Sequence, residues 1–221
     1  MDKQLKTVEV YNQHVHEYIN KFMHFDLYND TFDYCLSLLP QNSDIIELGC
    51  GPGNVIHYCS KKRTDINFLG IDLAPEMIKS ASIINPKATF QIADIRNINT
   101  IKHQYDGVIG AFCLPYLSYD DLDKFFSSLN TLTKDSGIVY LSCMQGEQSK
   151  SGFEQTSFTS NSELYTYYHQ KELLESKLLN NGFTLAKFYT KDYPETDGST
   201  TTDIIYIARK TSFRERTVLT N

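Results

Sequence analysis

The run Glu47-Leu48-Gly49-Cys50-Gly51-Pro52-Gly53-Asn54 limits what this 221-residue chain can fold into more than any other stretch. It follows the apolar pair Ile45-Ile46 and opens into a helical pattern from Asn54 to Lys61. A strand feeding a glycine turn and then a helix brings backbone N–H groups and a helix N-terminus to one place, a cradle for a ligand. Glycine is required where a Cβ would block that approach.

The segments after it alternate in the way such a turn demands. Phe68 to Leu73, Thr89 to Ala93, Gly107 to Cys113 and Gly137 to Met144 read as strands, the last almost wholly apolar, as a central parallel strand should be. Pro75 is suited to the first turn of the helix after the second strand, because its missing N–H is not needed there. Asp120 to Leu132 carries Leu122, Phe125, Phe126 and Leu129 on one helical stripe. Strands separated by helices give a parallel sheet with helices on both faces. Late in the chain the rule changes. After a helix from Gln170 to Asn180, Phe183 to Tyr189 and Asp203 to Ala208 have no helix-length segment between them, so they form an antiparallel hairpin. The expected fold is an α/β, seven-stranded, mostly parallel Rossmann-like sheet with one reversed strand near the C-terminal edge.

Before the sheet, Val8, Tyr11, Val15, Tyr18, Ile19 and Phe22 recur at helical spacing, and a second helix from Asp30 stops at Leu39 before Pro40. Residues 1–40 are therefore expected as a helical cover, 41–144 as the ligand-binding core, 145–169 as a substrate lid, 170–210 as the C-terminal helix and hairpin, and 211–221 as a tail, all in one domain. The lid reading rests on Phe153, Phe158, Tyr165, Tyr167, Tyr168 and His169, in a stretch poor in aliphatics at the carboxyl edge of the fifth strand.

Charge and composition remove several classes. A net charge of −6 argues against a general phosphate-backbone binder, which would want a basic face. Val108 to Leu117 is the longest apolar-rich run, about half of the ~18–20 residues a bilayer crossing needs. Met1-Asp2-Lys3-Gln4 lacks the apolar core of a secretory signal. The five cysteines form an odd set without a C-x-x-C pair, which suits buried thiols in a reducing cytoplasm rather than a zinc site or a disulfide frame. No metal and no membrane partner are expected.

The second ligand signal is Gly70-Ile71-Asp72-Leu73, with Asp72 ending the second strand, where a carboxylate can accept both hydroxyl hydrogens of a ribose. The dinucleotide fingerprint G-x-G-x-x-G is not met, since the third glycine comes one residue early. Glu47 before the turn suits a cationic ligand better than a pyrophosphate. A sulfonium-bearing amino acid with a free ammonium answers that description.

On these residues, together with Ala74-Pro75-Glu76-Met77, Gln91-Ile92-Ala93-Asp94-Ile95, Tyr105 to Gly110 and Ser136 to Leu141, the chain resembles the class I S-adenosylmethionine-dependent methyltransferases. The resemblance implies S-adenosylmethionine as cofactor, with S-adenosylhomocysteine as product. It places Gly49, Cys50 and Gly51 against the methionine moiety and has Glu47 support the turn or the ammonium. Asp72 would hold the ribose, Leu73 and Met77 would lie against the adenine, and Asp94 would bond the adenine amino group with Ile95 beside it. Ala111 and Phe112 would border the methyl-transfer centre, and Tyr18 on the N-terminal helix would fold over the cofactor. Packing competes with these roles at Leu73 and Met77, and a turn cap competes at Asp94.

The acceptor is less constrained. Phe112-Cys113-Leu114-Pro115-Tyr116 only partly matches the Asn/Asp-Pro-Pro-Tyr motif of adenine and glutamine methyltransferases, because Cys113 and Leu114 replace the amide and the first proline. Tyr116 and His169 are the candidate catalytic residues, and Tyr11, Tyr116, Tyr168 and His169 the candidate acceptor contacts. Packing at Tyr116 and helix capping at His169 are the competing readings. The expected activity is methyl transfer to an O or N atom of a small molecule by a monomer or homodimer. A protein or tRNA acceptor, or a catalytically silent cofactor-binding protein, stands as the alternative.

Overall fold

The computed structural model describes residues 3–159, 161–195 and 198–212; beyond 212 the expected tail lies outside the described residues. The sheet comprises β1 (Asp44–Leu48), β2 (Asn67–Asp72), β3 (Thr89–Ile92), β4 (Tyr105–Ala111), β5 (Thr133–Met144), β8 (Phe183–Pro194) and β9 (Thr200–Lys210), in the order β3-β2-β1-β4-β5-β9-β8. The first five are parallel, and β9 runs against both β5 and β8.

Alternation along the central strands explains why both faces are covered. Val108, Val139, Leu141, Ile204 and Tyr206 face one core with α6 (Tyr119–Leu132) and α7 (Lys171–Asn180). Ile109, Ile138, Tyr140, Ile205 and Ile207 face another with α3 (Asn29–Ser37) and α4 (Asn54–Lys62). Successive side chains of a strand point to opposite faces, so apolar residues at every position need helices on both. α6 starts on a capping box: the Ser118 hydroxyl accepts from the Asp121 N–H, and the Asp121 carboxylate accepts from the Ser118 N–H at 3.2 Å.

Two local expectations are corrected and one gains detail. The N-terminal stripe is not one helix but α1 (Lys3–Gln13) and α2 (Val15–Phe22), broken at His14. β5 begins at Thr133, directly after α6, and reaches its steady register with β4 only from Ile138, past a bulge in which Ser136 takes a φ of 62°. In the segment 145–169, expected as a lid, β6 (Gly152–Gln155) and β7 (Glu163–Thr166) form a separate antiparallel ribbon.

That ribbon is pinned at its return end and leans on the first helix. Tyr167 N–H donates to the Pro115 carbonyl at 2.9 Å, and the Tyr119 hydroxyl donates to the Tyr168 carbonyl. The Lys3 ammonium lies 3.5 Å from the Tyr165 ring centroid, and Tyr11 stacks on Phe158 at 5.4 Å. Val15 and Ile19 of α2 pack with Ala74 and Met77 at the start of α5 (Pro75–Ile84). The cover therefore closes over the carboxyl ends of β1, β2 and β4.

Candidate cofactor and acceptor cavities

The glycine turn is held open in a conformation few side chains tolerate. Gly49, Gly51 and Gly53 have φ of 69°, 52° and 77°. A Cβ on Gly53 would stand 2.6 Å from the Asn85 amide nitrogen, which itself donates to the Gly53 carbonyl at 3.0 Å. The N–H groups of Gly49 and Cys50 both donate to the Ile71 carbonyl, at 2.8 and 2.9 Å, so the turn is tied to the end of β2.

Asp72 completes that tie. Its carboxylate accepts from the Gly51 N–H and the Ala74 N–H, each at 2.9 Å. Burial raises its pKa, against the lowering effect of these backbone donors. Glu47, 2% exposed, keeps one carboxylate oxygen buried without a partner, and burial holds its pKa well above the usual carboxylate range. A buried acceptor without a donor is costly unless a ligand supplies one.

Two cavities meet at this turn. The smaller, of about 120 Å³, is lined by Gly49, Gly51, Asp72, Leu73, Asp94 and Ile95 and roofed by Gln4, Thr7 and Val8 of α1. The larger, of about 720 Å³, lies within the ~300–1,000 Å³ of small-molecule sites. Glu47 and Cys50 line it at one end, and it runs beneath the ribbon to Tyr168 and Asp203. Tyr11, Tyr18, Gly49, Ala111, Phe112 and Tyr116 line both cavities. Tyr11 and Tyr116 meet hydroxyl to hydroxyl, and burial pushes the Tyr116 phenol up to about 12. Phe112 takes a φ of 56°, unusual for an aromatic residue, its N–H donating to Ser142 Oγ at 3.1 Å.

Most residues singled out from the sequence converge here, and two do not. His169 is fully buried outside both cavities, with Nε2 3.0 Å from the Leu114 carbonyl and its ring 5.1 Å from that of Tyr119. Burial lowers its pKa, and the ring stands behind the cavity wall rather than on it. Met77 packs beneath α2 with Val15 and Ala74, away from the space lined by Leu73 and Ile95. Asp94 does line that space, but it also caps the following turn through the Arg96 N–H and pairs with the Arg96 guanidinium at 2.6 Å.

Other residues at the site carry no local signal in the sequence. Phe25, Tyr28, Glu154, Glu195 and Asp203 line the larger cavity from the α2–α3 connection, β6, the loop after β8, and β9. The Tyr28 hydroxyl donates to one Asp203 oxygen at 2.5 Å, while the other oxygen is buried without a partner. Burial raises the Asp203 carboxyl to about 7. Tyr168 donates to Glu154 at 3.0 Å. Among the described residues, no group of three His, Cys, Asp or Glu side chains could hold a metal ion, and no helix is long and apolar enough to cross a membrane.

Comparison with known proteins agrees with this geometry. Residues 45–137 match a family described as a methyltransferase domain. The chain is 32% identical over 103 residues to protein 235L of Invertebrate iridescent virus 6, provisionally named a methyltransferase; the match covers 47% of this chain and 38% of that one. It is 37% identical over 97 residues to a trans-aconitate 2-methyltransferase of an Enterobacter species, covering 44% and 37%. The chain thus spans under two-fifths of the length of these relatives. In fold it superposes on an S-adenosylmethionine-dependent methyltransferase of Clostridium acetobutylicum with a TM-score of 0.70 at 18% identity, over 92% of this chain and all of that one. Residues 45–137 thus match a methyltransferase domain, and the chain shares its fold with S-adenosylmethionine-dependent methyltransferases. The residues present fit that cofactor: an unpartnered buried Glu47 oxygen, a turn open at Gly51, and a carboxylate ending β2.

Proposed function

We propose that this protein transfers a methyl group from S-adenosylmethionine to an O or N atom of a small-molecule acceptor held in the larger cavity. The observation that carries the reading is the shared wall: Gly49, Ala111, Phe112 and Tyr116 border both the small space at the glycine turn and the larger cavity beside it. Bound S-adenosylmethionine would supply an electrophilic methyl on a sulfonium, a leaving group already activated.

What the chain must contribute is alignment and exclusion of water. In this reading Asp72 holds the ribose, Leu73 and Ile95 flank the adenine, and the unpartnered Glu47 oxygen accepts from the ammonium, as their lining of the space at the turn and that unmet oxygen support. Tyr11, Tyr18 and Phe158 close the top. Holding two reactants in line is worth ~7–11 kcal/mol, so no dedicated base is required where the acceptor already presents a lone pair. A tRNA acceptor finds little support, because among the described residues no Lys, Arg or His side chain lines either cavity.

The reading is tested by calorimetric titration with S-adenosylhomocysteine, followed by uptake of labelled methyl into a fractionated metabolite extract. Micromolar binding and label in a low-molecular-mass fraction are expected. Label confined to protein or RNA would overturn the small-molecule acceptor.

A further inference from the structure

The larger cavity has a chemical bias that the fold does not require. Among the described residues its lining combines Phe22, Phe25, Tyr28, Phe112, Tyr168 and Tyr193 with four acidic side chains, and it includes no basic one. Glu47 belongs to the cofactor end. The other three, Glu154, Glu195 and Asp203, gather at the far end around Tyr168, whose phenol each of them pushes upward in pKa. Glu154 is engaged by Tyr168 and Glu195 by Thr201 at 2.6 Å. Asp203 differs: 1% exposed, it has one oxygen satisfied by Tyr28 and the other facing no donor. Burying a carboxylate without a counter-charge is expensive, and a cation beside it removes the cost. Lys21 does not fill this role. Its ammonium donates to the Ser157 carbonyl and lies over the Phe22 and Tyr193 rings, and Lys21 does not line the cavity.

Distance adds a second constraint. Asp203 pairs with Met144, at the end of β5, whereas Ala111 of β4 pairs with Ser142. Asp203 thus stands two strand spacings, about 10 Å, across the sheet from the end of β4. Resting on the reading of this cavity as the acceptor site, we infer that the acceptor is an elongated organic cation. Its ammonium is taken by Asp203 with Glu195 and Glu154 nearby, its apolar or aromatic body lies against Tyr28 and Phe112, and its methyl-accepting atom reaches the Ala111–Tyr116 wall. Ring faces at Tyr28, Tyr168 and Tyr193 suit a cation for the same reason they suit its body. A tricarboxylate or a phosphorylated acceptor would meet like charge at that end.

The test uses the full chain with S-adenosylhomocysteine bound. It is titrated calorimetrically with matched phenylalkylamines, phenylalkanols and phenylalkanoates of two to four methylenes. The amines are expected to bind at least tenfold more tightly than the alcohols, and the carboxylates to show no heat. Asp203→Asn is expected to weaken the amines at least tenfold and Glu195→Gln two- to fivefold, with S-adenosylhomocysteine affinity held within twofold. Carboxylates or alcohols binding as well as amines, no amine binding at all, or both variants leaving amine affinity unchanged would overturn the inference. Failure of S-adenosylhomocysteine itself to bind would instead strike the cofactor reading beneath it.

Discussion

Replacing Asp203 by asparagine should make the ligand-free protein more stable, and only at neutral and alkaline pH. The carboxyl is buried, bonded on one side to Tyr28 and unpaired on the other, and its pKa is raised to about 7 from an ordinary 3.8. Below about pH 4 the side chain is protonated both in the folded protein and in the unfolded chain, so it contributes no pH dependence. Between about 4 and 7 the unfolded chain has lost the proton and the folded protein keeps it. Stability therefore falls as pH rises across that window, and the loss is complete above it. At 1.36 kcal/mol per pH unit the full cost is about 4 kcal/mol. Water in the cavity screens part of it, so about 2–4 kcal/mol is expected at pH 8. Asparagine keeps an oxygen for Tyr28 and carries no charge. For a chain of this size the melting temperature should rise by roughly 4–16 °C at pH 8 and scarcely at pH 4. Scanning calorimetry of both proteins from pH 4 to 8.5 measures it. Glu47 is buried in both and cancels in the difference. A gap independent of pH, or a variant no more stable at pH 8, would refute the reasoning.

Asp72→Asn should weaken S-adenosylmethionine binding by about 1.5–3 kcal/mol, because one of the two backbone-bonded oxygens becomes a donor facing a donor; calorimetry showing unchanged affinity would remove Asp72 from the site. Gly53→Ala should destabilise the protein by roughly 1–3 kcal/mol in urea unfolding, since it strains a left-handed residue and drives a Cβ against Asn85. His169→Phe should lower stability through the bond lost to Leu114 by about 0.5–1.5 kcal/mol, with cofactor affinity unchanged within error; a variant that melts like the parent but loses turnover would return His169 to catalysis.

The sheet was readable because its signals are local. Ile45-Ile46-Glu47-Leu48 followed by three glycines announces a strand and a turn without reference to anything distant, and Gly70-Ile71-Asp72-Leu73 repeats the message one strand over. The residues expected on the cofactor side follow from those two turns, and apart from Met77 and His169 the candidate cofactor, catalytic and acceptor residues border the two cavities. Met77 escaped because a helix stripe does not say which neighbour it meets, and here the neighbour is α2. The burial of His169 behind the wall was illegible because a buried histidine bonded to a carbonyl far along the chain has the same sequence surroundings as an exposed one. The acidic end of the larger cavity was illegible for a related reason. Glu154, Glu195 and Asp203 are isolated carboxylates in unremarkable segments, and only the return of β9 beside β5 and the fold of the ribbon bring them around Tyr168. The break at His14 and the bulge at Ser136 are backbone adjustments made to fit neighbours, which periodicity does not record.

The way α1 and the β6–β7 ribbon brace each other bears on the timing of a catalytic cycle. Lys3 on Tyr165 and Tyr11 on Phe158 join the roof of one compartment to the roof of the other. Under the proposed function neither guest would leave without disturbing the latch above its companion, and loss of the spent donor and escape of the methylated product would be kinetically linked events. Turnover under saturating conditions should respond to solvent viscosity, as a gate does, more than to the nucleophilicity of the acceptor.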